Sequence, residues 1–152
     1  MDKKMFKKAI EETLRTFGIR KYKKIYYKDY GEFYLKFDLQ SSNFCNGYYL
    51  NYAIVIKELH SEEESLQLLT SDVGGRVIVK LDNKPTDLME LENLDDEEQF
   101  MMALNEAVLD VTSIFENGGI KKFFETLPHK KNVIAVEARD YMIKMGYITE
   151  SE

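Results

Sequence analysis

From Phe33 to Leu59 apolar and polar positions alternate with a period of two. Phe33, Leu35, Phe37 and Leu39 interleave with Glu32, Tyr34, Lys36, Asp38 and Gln40, the signature of a half-buried strand. The partner strand, Tyr48 to Lys57, sets Leu50, Tyr52, Ile54 and Ile56 on one face. Ala53 and Val55 fall on the other, so that strand is expected to be covered on both sides. Between the two strands runs Ser41-Ser42-Asn43-Phe44-Cys45-Asn46-Gly47, a polar loop closing on an Asn-Gly turn pair. The pattern predicts a β-hairpin at the centre of a sheet.

Elsewhere the period lengthens to that of a helix. Phe6, Ile10, Leu14 and Phe17 recur three to four residues apart and predict a helix over residues 3–17, with Gly18 placed for a left-handed cap. Residues 19–28 alternate Tyr22, Tyr26 and Tyr27 with Arg20, Lys21, Lys23, Lys24 and Lys28, which predicts a lysine-guarded edge strand. Ser61 followed by Glu64 forms a capping box and predicts a short helix over residues 62–69. Gly74-Gly75 precedes a fourth strand over residues 76–81, and residues 82–93, with Pro85, are expected to be a loop. Phe100, Leu104, Ala107, Val108, Val111, Ile114 and Phe115 stripe the longest helix, over residues 95–116, which Asn117-Gly118-Gly119 ends. A short helix over residues 120–127 stops at Pro128, and Asn132 is expected to cap a final helix running to Met145. The predicted fold class is α+β. It is one domain over residues 1–152, a four-stranded, mainly antiparallel sheet with an N-terminal helix and C-terminal helices packed on one face.

Composition changes this picture little: 44% hydrophobic and 32% charged residues describe an ordinary globular chain. There is no apolar run of about 18 residues to cross a membrane. The first residues lead into an amphipathic stretch, unlike a signal peptide, and the one cysteine, Cys45, has no partner for a disulfide, so a cytoplasmic location is expected. The distribution of charge says more than the net −6. Residues 1–36 carry 11 Lys and Arg against 5 acids, whereas residues 37–119 carry 4 against 17. Such segregation orients a charged partner.

No constellation of catalytic residues stands out. A nucleophilic mechanism needs Cys45 or a serine beside a base, and the chain holds only His60 and His129. The run His60 to Glu64 superficially suggests a metal site, but adjacent residues diverge at a helix start and its carboxylates suit the helix dipole, so neither metal nor cofactor is expected. The best polar cluster is Asp38, Gln40, Ser41, Asn51 and Arg76 on the second face of the hairpin, read either as a ligand-binding or enzymatic face or as a hydrogen-bond network securing loop ends. The tyrosines and lysines of residues 19–28 fit a single-strand nucleic-acid platform as well as an edge strand, with the negative charge of the whole chain weighing against nucleic acid. A partner-binding edge is expected at Asp87, Leu88, Glu90, Leu91 and Glu92. There eight acids between residues 82 and 98 surround leucines that either anchor a partner or fold down to seal the sheet.

Several short stretches carry a resemblance. Gly18-Ile19 leads into a Lys/Tyr-rich strand, and Leu39-Gln40-Ser41-Ser42 with Phe44, Leu50-Asn51-Tyr52-Ala53, Gly75-Arg76-Val77 and a long helix ending near Phe115 follow in order. Over residues 5–127 this resembles the bacterial family catalogued as domain of unknown function 4304, whose pattern has glycine where this chain has Ala53. The resemblance implies an α+β fold, transfers no catalytic residues, and suggests a partner-binding role such as neutralising a toxin. With the acidic middle, it leads us to expect a non-enzymatic intracellular binding protein, specifically an immunity protein whose partner is a basic toxin domain. A small enzyme or ligand-binding module using Asp38, Gln40, Asn51 and Arg76 is the alternative.

Overall fold

Every strand pairing among the described residues is antiparallel, and all but two of the strands belong to the main sheet built on the β3–β4 hairpin. The computed structural model describes residues 1–150. Helix α1 (Lys3–Thr16) is followed by strands β1 (Arg20–Tyr22), β2 (Ile25–Asp29), β3 (Phe33–Ser41) and β4 (Gly47–Ile56). After the short helix α2 (Glu62–Ser65) come β5 (Val73–Arg76), β6 (Val79–Leu81), β7 (Lys84–Thr86) and β8 (Leu88–Glu90). The chain ends in α3 (Glu97–Thr126) and α4 (Val136–Lys144). The main sheet runs β1-β2-β3-β4-β5, and β8 also pairs with β4, end to end with β5 along the same edge.

The expected class, α+β with a mainly antiparallel sheet, is what the chain adopts, but the sheet has six strands where four were expected. The expected first strand divides into β1 and β2 at a tight turn that holds Lys23 at φ +54°. The expected loop over residues 82–93 contains β7 and β8. Asp82 and Asn83 both take positive φ, the geometry of a two-residue hairpin turn, and so join β6 to β7 in a separate ribbon. Strands of three residues carry no readable period, which is why pattern alone shows a loop there. Asn132 does not cap the last helix: it lies in a 3-10 segment, Pro128–Val133, and α4 begins at Val136. The start of α4 is set by a distant contact, the Ala135 N–H donating to the Asp72 carbonyl at 2.8 Å.

The inner face carries the main core. Phe6, Ile10 and Leu14 of α1 meet Leu35, Phe37, Leu50 and Ile54 of the hairpin and Phe100, Leu104, Val108 and Phe115 of α3, all buried. Rings make its centre, with Phe6 stacked on Tyr48 at 5.1 Å and Phe115 on Phe123 at 5.5 Å between centroids. α3 breaks at Gly119, whose φ of 62° and ψ of −148° suit glycine. The break turns Ile120, Phe123 and Phe124 back into the core. The outer face is covered over half its length by residues 57–72, beneath which Val55 and Ile25 are closed from solvent. Among the described residues no helix is long and apolar enough to cross a membrane.

Candidate functional site

The uncovered half of the sheet's outer face holds the predicted polar cluster. Because side chains alternate along a strand, Asp38 and Gln40 of β3 share a face with Asn51 of β4, which lies opposite Asp38 in register. The Asn51 amide donates to Asp38 Oδ2 at 3.2 Å and to Gln40 Oε1 at 3.1 Å. Burial raises the Asp38 pKa, against the opposing pull of the Asn51 hydrogen bond and of Lys36. Arg76, opposite Asn51 on β5, lays its guanidinium over the Tyr49 ring at 3.7 Å and donates to Asp87 Oδ2 at 3.2 Å. Arg76 and Asp87, which sequence assigns to separate sites, therefore belong to one surface. Ser41 does not join it. One residue beyond Gln40, it falls on the opposite face and pairs in register with Tyr48. Asp38, Gln40 and Asn51 bond one another on an open strand surface while Arg76 pairs with Asp87, and the cavity that Arg76 lines, about 190 Å³ against α3, is not lined by Asn51.

The acidic edge differs from its sequence reading. Leu91 is 1% exposed, and Met89 and Leu94 are buried with it, so these side chains seal the end of the sheet and Leu91 is no anchor for a partner. Leu88 is half-buried beside Thr86, whose hydroxyl both accepts from and donates to its backbone. Glu90 accepts from Asn93 Nδ2 at 2.8 Å, and Asp96 caps α3 by accepting from Gln99 N at 3.0 Å. Glu92, Asp95, Glu97 and Glu98 remain exposed on the same edge.

An apolar anchor exists nearby, in the hairpin loop. Phe44 is 93% exposed. Its loop is closed by the Ser42 N–H on the Gly47 carbonyl, the Gly47 N–H on the Cys45 carbonyl and the Phe44 N–H on Ser42 Oγ, at 2.9, 3.0 and 3.1 Å. Asn46, two residues on, accepts from the Leu91 N–H at 3.0 Å, and Gly47 pairs with Glu90. Phe44 thus projects from an ordered turn next to the acidic edge. The sequence signal for it is an aromatic residue in an otherwise polar turn. Cys45 beside it is a half-buried free thiol.

A buried charged cluster was also missed. Lys36, on the polar face of β3, is 3% exposed, and its ammonium donates to the carbonyls of Gln67 and, at 2.8 Å, Thr70 in the covering segment. Burial lowers its pKa to about 8, although Asp38 and Asp72 pull the other way. Asp72, 2% exposed, accepts from the Ile56 N–H at 2.7 Å and contacts His60 Nε2 at 2.8 Å, while His60 Nδ1 meets Glu64 at 2.5 Å. Burial disfavours the imidazolium, but bonds to Asp72 and Glu64 leave the His60 pKa raised. The cluster pins residues 57–72 onto the sheet, and its ring nitrogens and carboxylates are occupied with one another. Among the described residues no group of three or more His, Cys, Asp or Glu is placed to hold a metal ion.

Compared with known proteins, residues 10–125, about three quarters of the chain, match the family model described as Domain of unknown function (DUF4304). No curated protein and no solved structure matches the chain.

Proposed function

This chain belongs to the DUF4304 family, and we propose that it is a non-enzymatic binding protein, an intracellular immunity protein that neutralises a basic bacterial toxin. The observation that carries the reading is Phe44, fully presented by a hydrogen-bonded turn beside an edge where Glu92, Asp95, Glu97 and Glu98 are exposed. Interfaces draw affinity from a few aromatic anchors and on-rate from a charged rim of the opposite sign. A toxin that acts on nucleic acid needs a cationic groove, and an acidic edge of this kind would approach it quickly and cover it. The polar face supports the same reading, since Arg76, Asp87, Asn51, Asp38 and Gln40 present a flat, internally bonded surface of the sort that forms a wet rim.

The test begins with the genes that flank this one. Each product is expressed in a heterologous host with and without this chain, and growth is scored. One flanking product should arrest growth and be rescued by this chain. Phe44→Ala with Glu92→Lys should then weaken the purified complex by about tenfold or more while leaving the melting temperature nearly unchanged. If no flanking product is toxic, or rescue survives the double variant with unchanged affinity, the reading is wrong.

A further inference from the structure

We propose that the cleft between α1 and the β1–β2 hairpin binds the phosphate backbone of a single-stranded nucleic acid. A cavity of about 320 Å³ lies there, and Lys7 of α1, Lys21 of β1 and Lys23 and Lys24 of the turn all line it. No carboxylate is among its lining residues. The whole-chain charge of −6 hides this, because folding gathers cations from two separate segments at one place.

The lysines are only lightly engaged. Lys21 lies 3.7 Å from Glu11, Lys7 and Lys23 rest 5.9 and 5.4 Å from the centroids of Tyr48 and Tyr22, and Lys24 makes no hydrogen bond or ion pair among the described residues. The floor adds unspent donors. Tyr26 and Tyr48 also line the cavity and are buried but for a few per cent, yet their hydroxyls make no hydrogen bond among the described residues. Ser41, turned away from the polar face, brings its hydroxyl here. Ammonium groups and hydroxyls facing one cleft are what phosphate oxygens require.

The cleft continues. A second cavity of about 470 Å³ shares Lys21 and Tyr26 and adds Arg15, Arg20 and Glu11, the carboxylate lying 3.6 Å from Arg15 and 3.7 Å from Lys21, so the surface continues as a track with three cations against one acid. A track suits a repeating polyanion better than one phosphate ion. Its beginning beside Tyr22, 40% exposed, offers a ring on which a base can stack. This surface lies on elements other than the acidic edge, so its existence does not depend on the toxin reading.

The probe is a fluorescein-labelled oligothymidylate of about 10 nucleotides, followed by anisotropy across a salt series. Four lysine contacts predict that log K falls with log salt at a slope of about −3, single strands giving about −0.7 per phosphate contact. Lys7→Gln with Lys24→Gln should weaken binding about tenfold or more and bring the slope to about −1.5. Lys121→Gln with Lys122→Gln, the same charge change on an exposed stretch of α3, should leave both unchanged. Circular dichroism of each variant should match the parent, since all four lysines are exposed. No binding of the oligonucleotide up to about 1 mM would overturn the assignment. So would an equal loss in the α3 control, or equally tight binding of a polyglutamate of matched charge.

Discussion

Lys36 makes a measurable demand on stability. Its ammonium is closed beneath residues 57–72, and desolvation lowers its pKa from 10.5 to about 8 in the folded protein. Below pH 8 both folded and unfolded chains hold the proton, and the folded state carries the full penalty of about 3 kcal/mol. As pH rises through 8 the folded chain releases the proton while the unfolded chain keeps it, so stability climbs until the unfolded lysine titrates. Between pH 7 and pH 9 that gain is about 1.3 kcal/mol. The perturbation is Lys36→Met, which keeps the length of the side chain and removes its charge. Urea unfolding of the parent and the variant at steps from pH 7 to pH 9 gives the difference in stability at each step. The buried tyrosines, whose raised pKa values act in the opposite sense at high pH, cancel in that difference. The parent should gain about 1.3 kcal/mol on the variant across the interval. A difference that stays flat, or that falls, would mean that the ammonium is not desolvated and that residues 57–72 do not seal the sheet.

The acidic edge and the glycine pair give further checks. Leu91→Ala should lower stability by about 2–5 kcal/mol as a core truncation, while Glu92→Lys should change it by about 0.5 kcal/mol or less; similar effects from both in a chemical denaturation would undo the assignment of Leu91 to the core. A Cβ on Gly74 would sit 2.4 Å from the Tyr52 backbone oxygen, whereas one on Gly75 would meet side-chain ends, the Lys130 ammonium at 2.7 Å and the Tyr52 hydroxyl at 2.9 Å. Gly74→Ala should therefore destabilise by about 1–3 kcal/mol and Gly75→Ala by less, an order that thermal melting can reverse. His60, held by Asp72 and Glu64, should titrate by NMR with a midpoint above 6.5. Its contribution to stability is full below 6.5 and is lost as pH rises through the raised midpoint, and His60→Gln should abolish that loss.

Local periodicity determined much of this protein. The alternation through Phe33 to Ile56 specified the hairpin and its inner face, because one apolar side chain in two is enough to distinguish a sheet's buried side. The three-to-four spacing specified α1 and α3, and Gly18 and Gly119 marked the turns where φ becomes positive. Tertiary structure decided the rest. Whether Leu91 faces solvent or core depends on β8 pairing with the free edge of β4, a contact about 40 residues away in sequence that no window contains. Lys36 sits on the polar side of its strand and is buried all the same, because residues 57–72 fold over it and supply carbonyls for its ammonium. Ser41 left the polar cluster by a single step of the pleat, while Arg76 and Asp87 met across it. Lys7 reached Lys23 and Lys24 only when α1 lay against the hairpin. Sequence patterns report which side of an element is apolar. Which charges and rings share a surface depends on how elements pack, and that is non-local.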